Sequence, residues 1–208
     1  AYSNLGGDED ITKDLISIEQ KLAWNYDKLK QHEEAEKHLR KAISLGDNEE
    51  WVYSQLAYNL RSQERYEEAL ENYQRVIELG RKDTWIYSEI AWTYFLIKKP
   101  QLALDYIKKA KKLSPVEVDL VLITRMSSIL LALAEHKEAI KMIEEVISKE
   151  KYKNDINLLS NLAYIYIDLK DYEAALVYLQ RLKELRRNDE WLAQNLVLVY
   201  SKLEKKEK

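Results

Sequence analysis

Three histidines and many carboxylates are the side chains of this 208-residue sequence that could carry acid–base or metal chemistry. His32 and His136 each precede a predicted helix at the place that Tyr66 and Tyr172 occupy elsewhere. No third ligand or base keeps the same spacing, so we interpret both as packing residues and His38 as a solvated one. Because the sequence lacks cysteine, thiolate zinc sites and cysteine nucleophiles are excluded.

The composition argues against several other classes. Only 4 glycines and 2 prolines are present, which is too few for a β protein rich in turns, and no glycine-rich phosphate loop is seen. The net charge of −3 argues against a nucleic-acid partner, which requires an excess of Lys and Arg. No apolar run approaches the roughly 20 residues of a membrane span. We therefore expect no catalysis, no cofactor, no metal and no membrane association.

Small residues recur at a fixed period and indicate paired helices. One series runs with steps of 34, 34, 36 and 36 through Ala35, Ala69, Ala103, Ala139 and Ala175. A second series stands twelve residues before the first, at Ala23, Ala57, Ala91, Ser127, Ala163 and Val197. Two small positions in each copy mark places where two helix backbones approach closely.

Capping residues are placed as helical hairpins require. The predicted second helices end at Gly46, Gly80 and Pro115, and the predicted N-caps are Asp83, Asp155 and Asp189. The two extra residues in each 36-residue step fall in loops between copies, where insertions are tolerated.

The copies resemble tetratricopeptide repeats. The third copy carries the family pattern at Tyr87, Ile90, Ala91, Tyr94, Ala103 and Pro115, and five copies keep the same phase. The resemblance implies an all-α, right-handed α-solenoid of stacked helix–turn–helix repeats, and the Trp residues at the starts of copies are similar to bacterial members. We expect a flexible tail or linker over 1–10 and a single array over 11–208. Its repeats are expected at about 16–49, 50–83, 84–119, 120–155 and 156–189, with a capping helix at 190–205.

The resemblance also implies a concave groove lined by one stripe of each first helix. All five Trp residues lie on this stripe. Large rings there pack helices together or form hot spots for a partner, and the sequence leaves both readings open. The expected partner-binding residues are Trp24, Trp51, Ser54, Tyr58, Arg61, Trp85, Ser88, Trp92, Phe95, Tyr164 and Trp191.

We therefore expect a non-catalytic scaffold that binds a peptide or partner helix in an aromatic groove. Ser, Thr, Gln and aromatic residues stand where carboxylate-clamp relatives carry Lys, Asn and Arg, which argues against a chaperone clamp. The alternatives are a self-associating scaffold, as a homodimer through the C-terminal helix, and a recognition arm of a larger signalling or enzymatic protein. The absence of cysteine favours a cytoplasmic location.

Overall fold

Helices make up all the regular structure of the described residues, which in this computed structural model are 5–114, 118–185 and 187–205. Five hairpins are followed by one more helix. In chain order the helices are α1 (Leu5–Lys28), α2 (His32–Ser44), α3 (Glu50–Ser62), α4 (Tyr66–Glu78), α5 (Thr84–Leu96), α6 (Pro100–Leu113), α7 (Leu120–Ala132), α8 (His136–Ile147), α9 (Ile156–Asp168), α10 (Tyr172–Glu184) and α11 (Glu190–Glu204). The first helices from α3 onward begin within a residue of the predicted repeat boundaries.

Side chains before the first helices satisfy the free N–H groups of those helices. The carboxylates of Asp83, Asp155 and Asp189 each accept a hydrogen bond from the backbone N–H three residues later, at 2.9 to 3.0 Å. These three predicted N-caps are confirmed. Gly46 and Gly80 have φ of 102° and 106°, the left-handed backbone expected after a helix end. Pro115 lies outside the described residues.

The turn inside each hairpin has one geometry. Three residues join the paired helices, and the middle residue adopts a φ between 57° and 62° in every copy: Lys30, Glu64, Lys98, Ala134 and Lys170. A non-glycine residue pays a steric cost of roughly 1 kcal/mol for this backbone. The turn is therefore held by the packing of the two helices that it joins.

The chain divides into two compact units, one ending at Leu113 and the other beginning at Ser114. In unit 1 the small positions Ala23, Ala57 and Ala91 are at most 2% exposed, and large apolar side chains such as Leu39 and Leu60 fill the space around them. In unit 2 the equivalent Ala163 is fully buried, together with Leu159, Leu179, Leu182 and Val199. Both units therefore use the periodic small residues for close helix packing.

A buried carboxylate joins two hairpins of unit 1. Glu36 of α2 accepts hydrogen bonds from Arg40, Gln63 and Arg65 at 2.7 to 2.9 Å. Burial raises the pKa of Glu36, but the hydrogen bonds from these donors lower it by more, so the pKa lies below its ordinary value of 4.5. The network links α2 to the turn between α3 and α4.

The predicted extent of the N-terminal tail differs from the structure. Helix α1 already begins at Leu5, so residues 5–10 of the predicted tail are helical, while residues 1–4 lie outside the described residues. Acidic side chains such as Glu9 and Asp10 favour the positive end of a helix dipole, a signal that the composition-based prediction passed over. The single array of 11–208 stays a prediction, since the structure separates two units between α6 and α7.

No helix in the described part of the chain is long and apolar enough to cross a membrane. Within the same ranges, no group of three or more His, Asp or Glu side chains is placed to hold a metal ion.

Candidate functional site

Two of the predicted groove residues, Trp24 and Trp51, line an opening in unit 1 with a volume of about 510 Å³. Trp24 lies on α1 and is 44% exposed. Trp51 lies on the first turn of α3, half-buried against the unit 1 core. Gln20, Lys21, Asn25 and Glu49 complete the lining. The volume falls in the range of about 300–1,000 Å³ typical of ligand sites. We call this opening the tryptophan opening.

Four of the lining residues were absent from the predicted site: Gln20, Lys21, Asn25 and Glu49. A signal for three of them was present, because Gln20, Lys21, Trp24 and Asn25 have the i, i+1, i+4, i+5 spacing of one helix face. Glu49 contributes from the loop before α3. Its position could not be derived from helical spacing, since it depends on how α3 packs beside α1.

Trp85 is a packing residue in large part. Its ring meets the buried Tyr73 of α4 edge-on, with 6.3 Å between the ring centroids. The guanidinium of Arg81 lies over the Trp85 ring, 4.5 Å from its centroid. Trp85→Ala is therefore expected to destabilise unit 1.

Arg81 is itself held by carboxylates. Its guanidinium donates to Asp83 at 2.8 Å and to Glu50 at 3.1 Å. Burial raises the pKa of Asp83, but hydrogen bonds from the Ile86 N–H and from Arg81 bring it below its ordinary value. Arg81 therefore links three groups: Asp83 in the loop, Trp85 on α5 and Glu50 on α3.

The same arrangement recurs in unit 2 around Trp191. The Arg187 guanidinium lies 4.5 Å from the Trp191 ring centroid and donates to Asp189 at 2.7 Å. It also hydrogen-bonds the Ser160 hydroxyl of α9. The hydrogen bond from the Leu192 N–H and then that from Arg187 lower the pKa of Asp189. Trp191 is thus covered by its own chain.

Three predicted groove residues lie inside unit 1 and are not available to a partner. Ser54 is 1% and Ser88 6% exposed, and the Ser54 hydroxyl donates to the Glu50 carbonyl at 2.8 Å. The Arg61 guanidinium pairs with Glu89 at 2.9 Å, with 12% and 7% of the two side chains exposed. Arg61 is held inside because its partner Glu89 lies on α5, the next first helix of the same unit.

The other predicted aromatic residues divide between packing and exposure. Trp92 and Phe95 stack on each other with ring centroids 4.8 Å apart, and both are half-buried. Tyr58 is 37% exposed in unit 1, and Tyr164 is 48% exposed in unit 2. Tyr58 therefore offers an exposed ring on α3 of unit 1.

The histidines have specific partners. His32 lies 2.9 Å from the Asn59 amide oxygen, and His136 lies 2.7 Å from Asp168, so both join a hairpin to the next first helix. The interpretation of His38 as solvated is wrong. His38 stacks on Tyr26 and lies 2.6 Å from Glu19, and both partners belong to α1, the helix paired with α2.

Taken together, the fold and the site define an all-α helical-repeat protein with an open aromatic surface. Family models described as tetratricopeptide repeat match residues 48–115, and also 20–48 and 156–189, which together exceed half of the chain. The chain belongs to the tetratricopeptide repeat family. Repeats of this family generally serve as non-catalytic modules for protein–protein interaction.

Solved structures of other repeat proteins share the fold. PilW, a type IV pilus biogenesis factor, has a TM-score of 0.77 at 13% identity, with 90% of this chain and 86% of that chain covered. MamA from Desulfovibrio magneticus RS-1 has a TM-score of 0.74 at 15% identity over 85% of this chain and 98% of its own. YrrB, described as a TPR protein with an unusual peptide-binding site, has a TM-score of 0.66 at 20% identity over 84% and 87%. The curated sequences contain no significant match.

Proposed function

We propose that the tryptophan opening of unit 1 binds a peptide or helix of a protein partner and that the chain acts as a non-catalytic scaffold. The observation that carries this proposal is the exposure of Trp24, a residue that is 44% exposed and lines an opening of about 510 Å³. Tryptophan is the residue type most enriched in interface hot spots. Polar groups of Gln20 and Asn25 stand beside the ring, as expected of a site that fixes the orientation of a bound segment.

Trp24→Ala tests the proposal with little risk to folding. Trp24 lies at the surface with nearly half of its area exposed, so its removal leaves no closed cavity in the core, while the loss of a hot-spot tryptophan weakens binding by about 30-fold or more. The matched control is Leu102→Ala on α6 of the same unit, where the side chain is 41% exposed and lies outside the lining.

The measurement is a quantitative pull-down followed by calorimetry on the purified partner. The proposal predicts that the wild type and Leu102→Ala retain the same protein with equal affinity and that Trp24→Ala loses it. Equal affinity for all three chains would show that the partner binds elsewhere. Circular dichroism on each variant separates loss of binding from loss of fold.

Self-association through α11 is the second candidate. Val197 occupies the same repeat position as Ala57 and Ala163. Those two residues are fully buried, whereas Val197 is 70% exposed, and Tyr200, one turn later, is 46% exposed. The helix face that a second helix covers in the other repeats is apolar and open here. Sedimentation velocity should show a dimer that Val197→Glu converts to a monomer; a wild-type chain that stays monomeric at every concentration measured would exclude this candidate.

The remaining expectations are proposals of the same kind. They comprise a recognition arm of a larger signalling or enzymatic protein, a bacterial origin, a cytoplasmic location and the absence of a nucleic-acid partner. The mixed charge supports the last of these, since 33 basic and 36 acidic residues leave no excess of cations.

A further inference from the structure

Three repeat junctions of the chain place a tryptophan two residues after a carboxylate. The triplets are Asp83 with Trp85, Asp189 with Trp191, and Glu49 with Trp51. In the first two, an arginine two residues before the carboxylate lies over the tryptophan ring at 4.5 Å. Each arginine also donates to the carboxylate of its own triplet, at 2.8 and 2.7 Å. The chain therefore builds the same guanidinium site twice and fills it both times.

At the third junction the residue in the arginine position is Asp47. This side chain is short and 5% exposed, and it makes a different link. Its carboxylate accepts a hydrogen bond from the Gln20 amide at 2.7 Å and another from the Glu49 N–H at 3.0 Å. Asp47 thus keeps the connection between the loop and the preceding first helix, but it carries no cation to the Trp51 ring.

The other two parts of the site remain and are open. Glu49 is exposed and accepts no capping hydrogen bond with its side chain, unlike Asp83 and Asp189. Both Glu49 and Trp51 line the tryptophan opening. The opening therefore coincides with the place where the other two junctions hold a guanidinium group.

We propose that an arginine side chain of the partner segment occupies this place, stacked on Trp51 and paired with Glu49. The proposal rests on the proposed function and specifies the chemistry of its ligand. Arginine is favoured over lysine because its planar guanidinium stacks on an aromatic face while its N–H groups pair with a carboxylate. Glu49 is the acidic residue of the lining, and Lys21 is its basic residue. Lys28 lies over the separate Trp24 ring at 4.9 Å.

The experiment uses the five tryptophan indole N–H signals in nitrogen-15 NMR spectra of the full chain, each assigned by a Trp→Phe variant. The probe is N-acetyl-arginine methylamide, and the comparison probes are the lysine analogue and the uncharged citrulline analogue. We expect the Trp51 signal to shift with the arginine probe while the Trp85 and Trp191 signals stay in place, because their rings are already covered. Glu49→Gln should weaken the response about three- to tenfold through loss of the charged pairing.

Two variants test whether an open tryptophan ring is what the arginine probe requires. Asp47→Arg supplies the missing arginine from the chain itself and should abolish the Trp51 response, as the ring becomes covered like Trp85. Arg81→Ala should create a new response at Trp85. Because one variant removes a response and the other creates one, misfolding of either variant leaves the second as a decisive test.

Several results would overturn the proposal. These are a Trp51 shift of equal size with the lysine or citrulline probe, no Trp51 shift with the arginine probe, or a full response in Asp47→Arg. The arginine site can fail while the proposed function stands. If Trp24→Ala loses the protein partner while Asp47→Arg retains it at wild-type affinity, the partner site stands and the arginine site falls.

Discussion

The ion pair between Arg61 and Glu89 allows a test of whether Arg61 stabilises the fold of unit 1. Its charged atoms are 2.9 Å apart, and the side chains are 12% and 7% exposed. Arg61→Met keeps the length of the side chain but leaves the Glu89 carboxylate buried without this counter-charge. Breaking a buried pair costs about 3–5 kcal/mol. Since Arg61 keeps some solvent contact, we expect about 3 kcal/mol, or a fall in Tm on the order of 10–20 °C for a unit of this size.

Urea unfolding followed by circular dichroism measures the loss, with Lys37→Met as the control. Lys37 pairs with Glu34 on the surface, where the side chains are 67% and 45% exposed, and its removal should leave the free energy of unfolding almost unchanged. The double variant Arg61→Met/Glu89→Met should recover most of the stability, because two apolar side chains replace the pair. If Arg61→Met costs no more than Lys37→Met, the pair is not structural and the original assignment of Arg61 to partner binding returns.

Four further outcomes are expected. Glu36→Gln should lower the free energy of unfolding by about 1–2 kcal/mol at pH 7. Because the folded pKa of Glu36 lies below 4.5, this stabilisation is present above pH 4.5 and is lost as the pH falls through the folded pKa. The urea unfolding curves of the variant and the wild type should therefore converge in acid. Ala134→Gly should raise the free energy of unfolding by about 0.5–1 kcal/mol, since glycine adopts the φ of 57° without strain. Ala57→Leu, at a fully buried helix contact, should cost about 1–3 kcal/mol in the same urea assay. Trp85→Ala should cost about 3 kcal/mol through loss of its contact with Tyr73, also measured in urea.

Periodicity predicted the helical hairpins well because it reports contacts within a repeat. A small residue every 34 to 36 positions marks a close helix contact, and Ala57 and Ala91 are fully buried as that reading requires. The N-cap at Asp83 was also predictable, since the capped N–H lies only three residues away. The start of α1 was missed because two glycines and a set of small polar residues were given more weight than the acidic signal of a helix N-terminus.

The site was harder to predict because its decisive contacts join residues of different repeats. Arg61 and Glu89 are 28 residues apart, and no single helix face contains both. The sequence shows that Trp51 and Trp85 share a position, yet it does not show that one ring is covered by an arginine and the other is open. That difference follows from Asp47 and Arg81 in the preceding loops, and it becomes visible only when the loops are placed against the rings.

The two kinds of connection between helices also determine where foreign sequence can be inserted. Every turn inside a hairpin has three residues and a fixed left-handed middle position, whereas the loops between hairpins vary, from five residues at 79–83 to eight at 148–155. Glu150, with 84% of its side chain exposed, lies in the longest fully described loop. A reporter peptide or an affinity tag spliced in after Glu150 would leave the helix register intact, while the same insertion after Lys30 would separate α1 from α2. The chain thus carries natural splice points for building fusion proteins, and they recur once per repeat.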